Sequence, residues 1–475
     1  MTPDDFRAHA HQVADWMADY LETVGERPVK SRARPGEITA RLPASAPEDG
    51  EPFEAIMADF NDIIVPGLTH WQHPGFFAYF PANASPPSIL AEMLAAVLAT
   101  QCMSWQTSPA ATELEGRVME WLRELVGLPA DFIGAIQDTA STATLCAILA
   151  ARERASDFAT NHTGLSGGPR MTTYCSSEGH SSIDKAVRIA GLGSDQLRKI
   201  AVDQHSAMDP AALDAAIAAD AAAGLRPVCV VATLGSTSQS AVDPLRAIGA
   251  VCRRHGVWLH VDAAWAGSAL VLPEMRWMID GIEAADSLVF NPHKWLLTQL
   301  ECSAFYVRDK AALIRTFEIL PEYLKTREGD QVTNYRDWGV QLGRRFRALK
   351  LWFVLRSYGR TGLQAHVRRH IALAQDLAAR IAAQPDFEVL APSPLALVCF
   401  RYHPPGLDDA AKLDALNETL LETLNDSGAL YLTQTRLDGA YVIRFAIGAV
   451  LTEARHVEAA WEKIQHTARR LGEGT

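Results

Sequence analysis

The sequence is poor in cysteine, and its cysteines lack the spacings that stabilise small secreted or zinc-binding domains. Seven cysteines occur among 475 residues; the number is odd, and no Cys-x-x-Cys spacing occurs. A disulfide framework and a zinc ribbon are therefore disfavoured, and a reducing compartment is expected. We expect a cytoplasmic protein.

Long apolar runs and an excess of basic charge are also missing. No apolar run reaches the roughly 18 residues that indicate a membrane-spanning helix, and the acidic start at residues 1–5 is unlike a signal peptide. The formal net charge of -12 disfavours a nucleic-acid-binding surface, which is usually basic. We therefore expect neither a membrane nor a nucleic acid as partner. The hydrophobic content of 48% is sufficient for a large core.

Three segments differ in composition and in predicted secondary structure. Residues 1–85 contain helices and a proline-rich connector, and their first helix is predicted to begin at Thr2-Pro3-Asp4-Asp5, where a capping hydroxyl precedes proline and acids. Residues 86–360 alternate between helices and short apolar strands. Residues 361–475 look like a smaller α+β domain.

The alternation in the middle segment predicts an α/β fold. Helices are expected at 141–154, 210–223 and 244–255, and strands at 227–233 and 257–261. Such an order is typical of a mainly parallel sheet with helices on both faces.

A lysine at the end of a predicted strand is the first candidate for chemistry. Asn291-Pro292-His293-Lys294-Trp295 follows the apolar run 287–290, and open α/β sheets bind ligands at the carboxyl ends of their strands. An amine held away from bulk water has a lowered pKa and can attack a carbonyl. The aldehyde of pyridoxal phosphate is such a carbonyl. The alternative is an ordinary surface lysine.

An acid occupies the equivalent place after another predicted strand. Asp262 ends the run Trp258-Leu259-His260-Val261, and a carboxylate beside a pyridine nitrogen keeps that nitrogen protonated. The interval between Asp262 and Lys294 leaves room for a crossover and a strand, so both could line one crevice. A turn-capping aspartate is the alternative.

The start of the helix near residue 140 suits a phosphate. Backbone N–H groups and the dipole at a helix start attract phosphate, and Ser141 adds a hydroxyl. Thr237 could reach the same group from the end of the next strand. Asp138 is unexpected here, because its charge would repel phosphate unless it faces away. An ordinary helix cap is the alternative.

His180 lies in a loop between a predicted strand and helix, where a flat imidazole could stack on the cofactor ring. An incidental residue of a helix-capping loop is the alternative. The sequence has no His-Glu-x-x-His motif, and no metal site is expected.

These motifs together resemble a known family. The segments Asn291–Trp295, His260–Ala264 and His180–Ser182 are similar to those of the group II pyridoxal-phosphate decarboxylases, in particular the aromatic-L-amino-acid decarboxylase branch. The resemblance runs almost end to end, and it includes His70–Pro74, Phe77–Pro81, Ser108–Glu115 and Leu342–Arg347.

The resemblance implies a fold type I homodimer with its active site at the subunit interface. It further implies that Lys294 forms the Schiff base with pyridoxal phosphate, that Asp262 holds the pyridinium and that His180 stacks on the ring. The other cofactor residues would be Ala140, Ser141, Thr237, Asn291 and His293. The substrate pocket would be lined by Trp71, Tyr79, Phe80 and Pro81.

The implied reaction is decarboxylation of an aromatic L-amino acid (tryptophan, phenylalanine, tyrosine or DOPA) to the arylalkylamine and CO2. By resemblance, Tyr323 on a mobile loop protonates the product carbon, with His180 nearby. An aromatic aldehyde synthase on the same scaffold and a histidine decarboxylase are the alternatives.

The chain departs from the family pattern at four positions. Asp138 stands where the phosphate turn usually has glycine, Gln101 and Met103 stand where animal members carry bulkier apolar or aromatic pocket residues, and Ala82 stands where a hydroxyl residue is common. Gly343, in the same pocket, leaves room for a wide ring such as indole, although a glycine here also occurs in enzymes for phenolic substrates. These differences bear on the substrate and not on the type of reaction.

Overall fold

The computed structural model describes residues 1–319, 328 and 331–473. The chain forms two compact units. The large unit contains residues 82–372 and 393–395, and the small unit contains residues 1–81, 373–392 and 396–475. The division into three segments at residues 85 and 360 remains a prediction.

The large unit is built on a seven-stranded sheet. Its strands are β1 (Ile133–Gln137), β2 (Met171–Ser176), β3 (Leu197–Ile200), β4 (Arg226–Thr233), β5 (Trp258–Asp262), β6 (Ser287–Phe290) and β7 (Ser303–Val307), in the spatial order β1-β7-β6-β5-β4-β2-β3. The pairs among β3, β2, β4, β5 and β6 are parallel, while β7 is antiparallel to both of its neighbours. The prediction of a mainly parallel α/β sheet is confirmed.

The small unit contains a four-stranded antiparallel sheet. Its strands are β8 (Phe387–Val389), β9 (Leu397–Tyr402), β10 (Thr433–Leu437) and β11 (Ala440–Ala446), in the order β10-β11-β9-β8.

Helices connect the strands of both units. They are α1 (Pro3–Thr23), α2 (Glu37–Arg41), α3 (Phe53–Asp59), α4 (Val65–Gly67), α5 (Pro86–Leu98), α6 (Pro109–Val126), α7 (Ala140–Ala155), α8 (Thr160–Thr163), α9 (Ser181–Ile189), α10 (Pro210–Ala222), α11 (Leu245–His255), α12 (Pro292–Trp295), α13 (Lys310–Phe317), α14 (Arg347–Ala382), α15 (Ala410–Asp426) and α16 (Ala454–Gly472). The crossover from β5 to β6 uses three 3-10 helices, Ala266–Val271, Pro273–Ile279 and Ile282–Ala284.

Local sequence explains where several helices start. Thr2 accepts the Asp5 N–H in a capping box, as predicted, and Asp209 caps α10 ahead of Pro210. Most strands of the large sheet are buried, with β2, β5, β6 and β7 buried throughout, whereas the edge strand β3 is largely exposed or partly exposed. Strands buried in this way are covered on their faces, and their carboxyl ends are the places left for a site.

Within the described part of the chain, no helix combines the length and apolar character needed to cross a membrane.

Candidate active site

The base of the site lies at the carboxyl ends of β4, β5 and β6. Asp262 is the last residue of β5 and pairs in register with Thr233 of β4 and Val289 of β6. It is 5% exposed, and its Oδ1 accepts the Ala264 N–H at 3.0 Å. The predicted acid is therefore a buried carboxylate at a strand end.

Lys294 follows the neighbouring strand in the short helix α12. Its main-chain N–H donates to the Asn291 carbonyl at 2.9 Å. The next residue, Trp295, stacks on Trp265 with ring centroids 4.4 Å apart. Its Nε1 donates to His370 Nδ1 at 3.1 Å. The turn that carries the lysine is thus packed against buried aromatic rings.

His180 immediately precedes α9 and caps it. Its Nδ1 accepts the Ser182 N–H at 3.1 Å, which leaves the proton of the neutral ring on Nε2. Partial burial lowers the pKa of His180; nearby Asp262 raises this pKa, and nearby Lys294 lowers it further. The charges of Asp262 and Lys294 therefore both act on His180, which places the three predicted groups near one another.

The phosphate site predicted from the sequence would lie at the start of α7. Thr139 caps the helix by accepting the Thr142 N–H at 3.4 Å. The Asp138 carboxylate accepts the Thr139 N–H through Oδ1 at 2.6 Å and Gln341 Nε2 through Oδ2 at 2.6 Å. These two donors bind the carboxylate of Asp138, whose negative charge is unexpected beside a phosphate site.

Asn291 and His293 are buried near the start of α7. Ser303 Oγ donates to Asn291 Oδ1 at 2.6 Å and contacts the Asp138 carbonyl at 3.3 Å. His293 Nδ1 accepts the Cys302 N–H at 3.0 Å. Burial, reinforced by Lys294, lowers the pKa of His293 to about 4, so its ring is neutral at physiological pH. Thr237, by contrast, is exposed after β4.

Gln101 and Gly343, two predicted pocket residues, lie side by side in the large unit. Gln101 Oε1 accepts the Arg344 N–H at 2.7 Å, and a Cβ on Gly343 would meet Gln101 Nε2 at 3.2 Å. Arg344 forms a buried ion pair with Glu115 at 2.6 Å. Met103 accepts the Arg336 N–H through its carbonyl at 2.9 Å.

The remaining predicted pocket residues belong to the small unit. Trp71 stacks on Tyr79 with centroids 5.7 Å apart, and the Arg444 guanidinium lies 5.3 Å from the centre of the Phe80 ring. Phe80 and Pro81 are buried, whereas Trp71 and Tyr79 are partly exposed. Tyr323 lies outside the described residues.

Asn83 and Gln341 were missed by the sequence reasoning. The Asn83 side chain donates to the Lys294 carbonyl, and Gln341 binds Asp138. Both contacts join residues more than 200 positions apart. No local spacing or run of residue types signals such pairs, and only the folded chain brings them together.

Comparison with known proteins decides the family. Residues 35–403 match the model of the pyridoxal-dependent decarboxylase conserved domain. This chain belongs to the pyridoxal-dependent decarboxylases. Tryptophan decarboxylase TDC2 of Camptotheca acuminata is 42% identical over 99% of this chain and 96% of its own. Phenylacetaldehyde synthase of Arabidopsis thaliana is also 42% identical, over 99% of this chain and 97% of its own.

The fold of this decarboxylase is shared with a solved relative. The structure of Oryza sativa TDC with PLP and tryptamine superposes with a TM-score of 0.96 at 39% identity, covering 99% of both chains. Pyridoxal phosphate is accordingly the cofactor of this enzyme.

The residues present fit that cofactor. Pyridoxal phosphate requires an amine, an acid for its ring nitrogen and an anion site for its phosphate. The large unit supplies Lys294, the buried carboxylate of Asp262, and the capped start of α7, a helix of 16 residues. His180 is close enough to both Asp262 and Lys294 to be affected by their charges, in agreement with one shared ligand.

Proposed function

We propose that this enzyme decarboxylates an aromatic L-amino acid to the corresponding arylalkylamine and CO2. The observation that carries the proposal is the grouping of Lys294, Asp262 and His180 at the strand ends of the large unit. The relatives named for tryptophan and for phenylacetaldehyde support an aromatic substrate.

Lys294 and Asp262 would perform the central tasks. Bound pyridoxal phosphate supplies a positively charged ring that accepts the electron pair of the broken carboxylate bond. The Lys294 amine would hold the cofactor covalently and release it to the substrate amine. The Asp262 carboxylate would keep the ring nitrogen protonated, because an adjacent negative charge stabilises the positive form.

His180 would orient the cofactor ring, and Tyr323 would return a proton to the product. The His180 ring would stack on the cofactor, and its neutral form carries a proton on Nε2. Tyr323 would donate the proton to the product carbon.

The cofactor phosphate would be bound at the start of α7 by Ala140 and Ser141, with Thr237, Asn291 and His293 as further contacts. Anions are stabilised by the N–H groups and the dipole at such a helix start. Trp71, Tyr79, Phe80 and Pro81, with Gln101, Met103 and Gly343, would contact the substrate ring. Aromatic side chains provide most of the apolar surface that such a ring requires.

We further propose a homodimer with the active site at the subunit interface. Helix α5 exposes a row of apolar side chains, Leu90, Met93, Leu94, Val97 and Leu98. None of the residues of α1, all of which the structure describes, is buried. Exposed apolar helix faces mark protein contacts, and residues 1–85 would serve as a dimerisation segment. All seven cysteines are buried thiols, in agreement with a cytoplasmic location.

An aldehyde synthase is the second candidate, because one such relative is as similar as the decarboxylase. In that reaction one O2 and one water would be consumed for each amino acid, and aldehyde, CO2, ammonia and hydrogen peroxide would be formed. His180 and Tyr323 favour the decarboxylase. Tyr323→Phe should slow proton return and raise the share of aldehyde.

The test is a product analysis with tryptophan, phenylalanine, tyrosine, DOPA and histidine. We expect CO2 and amine in equal amounts from one or more aromatic substrates, with little peroxide. Equal amounts of aldehyde and peroxide would establish the aldehyde synthase instead. Turnover of histidine alone would contradict the substrate class.

A further inference from the structure

The turn that carries Lys294 is anchored by the segment that leads into α5. The Asn83 N–H donates to the His293 carbonyl at 2.9 Å, and the Asn83 side-chain amide donates to the Lys294 carbonyl. Ser85 donates to the Leu297 carbonyl twice, from its N–H at 3.3 Å and from Oγ at 2.7 Å. Three carbonyls around the lysine are thus held by two residues of one segment.

A third residue extends this anchor. Ser88 Oγ accepts the Gln299 N–H at 2.6 Å. The residues Asn83, Ser85 and Ser88 are each exposed by 1% or less. Hydrogen bonds in such buried surroundings are strong, and a lost partner is not replaced by water.

The turn needs such external partners because α12 has only four residues. The last carbonyls of a helix have no partner within it, and in a helix this short most carbonyls are of this kind. Leu297, two residues after α12, has a left-handed backbone conformation with φ at 58°. The carbonyls around Lys294 are therefore held by main-chain and side-chain donors from another segment.

We propose that Asn83 is a positioning residue for Lys294: its side-chain amide fixes the main-chain carbonyl of the lysine and so sets where the amine meets the cofactor. The inference rests on the proposed function, in which Lys294 is the residue that attaches the cofactor. A lysine side chain is long and flexible, so the backbone from which it starts determines the range of positions its amine can take. A shift of about 1 Å in an active site can lower a rate roughly 100-fold.

The decisive variant is Asn83→Asp. It keeps the size and the acceptor oxygen of the side chain but loses the N–H donor to the Lys294 carbonyl. Ser85→Ala is the milder companion, because the Ser85 N–H still reaches the Leu297 carbonyl. The matched control is Asn417→Asp in the small unit, where a buried amide donates to the carbonyls of Tyr402 and Leu413 at 2.8 and 2.9 Å.

The measurements use the cofactor-loaded enzyme and its apo form. They are the pH midpoint of the visible absorbance of bound cofactor, the rate at which added pyridoxal phosphate attaches to the apo protein, kcat and KM, and the thermal unfolding temperature. For Asn83→Asp we expect a shifted pH midpoint, slower attachment and a fall in kcat of about 10- to 100-fold with a smaller change in KM. Ser85→Ala should shift the same quantities less.

Asn417→Asp should lower the unfolding temperature and leave the pH midpoint and attachment rate unchanged. If both Asn83→Asp and Ser85→Ala behave like Asn417→Asp, the positioning role is refuted. Failure of the Lys294 assignment gives a different result, because the unaltered enzyme would then carry no cofactor on Lys294. A different product, such as an aldehyde, would show in the product analysis and would leave the attachment measurement valid.

Discussion

Two groups of predicted site residues in the large unit differ in how they are held. We call Asp262, Asn291 and His293 the base, and Gln101 and Gly343 the rim. At the base, Asp262, Asn291 and His293 are 5% exposed or less, and each is bonded to main chain or to a buried side chain. At the rim, Gln101 and Gly343 are exposed. The base is fixed by the ends of packed strands, and the rim by connecting segments. We infer that the base sets the reaction and that the rim adjusts which ring is accepted.

The largest expected effect is at the base. Asp262→Asn removes the charge that would keep the cofactor ring protonated while preserving the shape of the side chain. We expect kcat to fall by about 10²- to 10³-fold, the range found when one preorganised electrostatic group is lost. The measurement is steady-state kinetics with the best substrate of the panel. An unchanged kcat would show that the acid at the strand end is only structural.

The ion pair beneath the rim should contribute strongly to stability. Glu115 and Arg344 form a bidentate pair whose side chains are 3% and 5% exposed. Glu115→Gln leaves a buried guanidinium without its counter-charge, and we expect unfolding to require about 3 kcal/mol less. Urea denaturation measures the difference.

The control for this prediction is Asp280→Asn, which breaks the exposed pair between Arg246 and Asp280. It should leave the urea midpoint nearly unchanged, because exposed pairs contribute little. Equal losses in both variants would contradict a special role for the buried pair.

Acid should destabilise the large unit through its buried histidines. Burial lowers the pKa of His260 and of His366 to about 3. Because the unfolded chain binds protons at a pKa near 6.5, stability is complete above about pH 6.5 and is lost as the pH falls from there toward 3. In that window each histidine lowers the free energy of unfolding by up to about 1.4 kcal/mol for each unit by which the pH falls.

Urea denaturation at pH 7.5 and 5.5 measures this slope. His366→Gln should make it shallower, whereas replacing the exposed His205 should not. An identical slope in all three proteins would exclude His366 as a source of the acid sensitivity.

The smallest effect is expected at the rim. Gly343→Ala places a methyl group 3.2 Å from Gln101 Nε2, and the end of that side chain can move. The fold should persist, while the ratio of kcat/KM for tryptophan to that for phenylalanine should fall about tenfold, as one added methyl group allows. Gly50→Ala, which adds a methyl group in open space, is the control. A ratio unaffected by Gly343→Ala would separate this residue from substrate choice.

Much of the architecture follows from local signals. The strand predicted at 227–233 and the helix predicted at 210–223 each differ from the observed element by one residue, because apolar runs, a capping aspartate and prolines mark their limits. The antiparallel direction of β7 was not predicted. Its connection from β6 contains only the short helix α12, which is too little for the crossover that a parallel strand requires.

The site was only partly predictable. The strand-end rule located Asp262 and Lys294, since both follow buried runs. The contacts of Asn83 with Lys294 and of Gln341 with Asp138 depend on tertiary folding across more than 200 residues. Such contacts leave no periodic pattern in a single sequence.

Lys350, which is buried, provides an internal comparison for the partly buried Lys294. Lys350 is 1% exposed, and its Nζ lies 2.9 Å from Gln299 Oε1 and 3.1 Å from Glu92 Oε2. Burial lowers the pKa of Lys350 to about 8, which would make it a reactive amine if it were accessible. Its two hydrogen-bonding partners and its burial argue that it is structural.

The most direct test is to locate the covalently bound cofactor. The loaded enzyme is reduced with borohydride, digested, and mapped by mass spectrometry, with Lys294→Ala as the comparison. We expect the label on Lys294 alone, and none in the variant. A label on Lys350, or none on the unaltered enzyme, would contradict the account of this site.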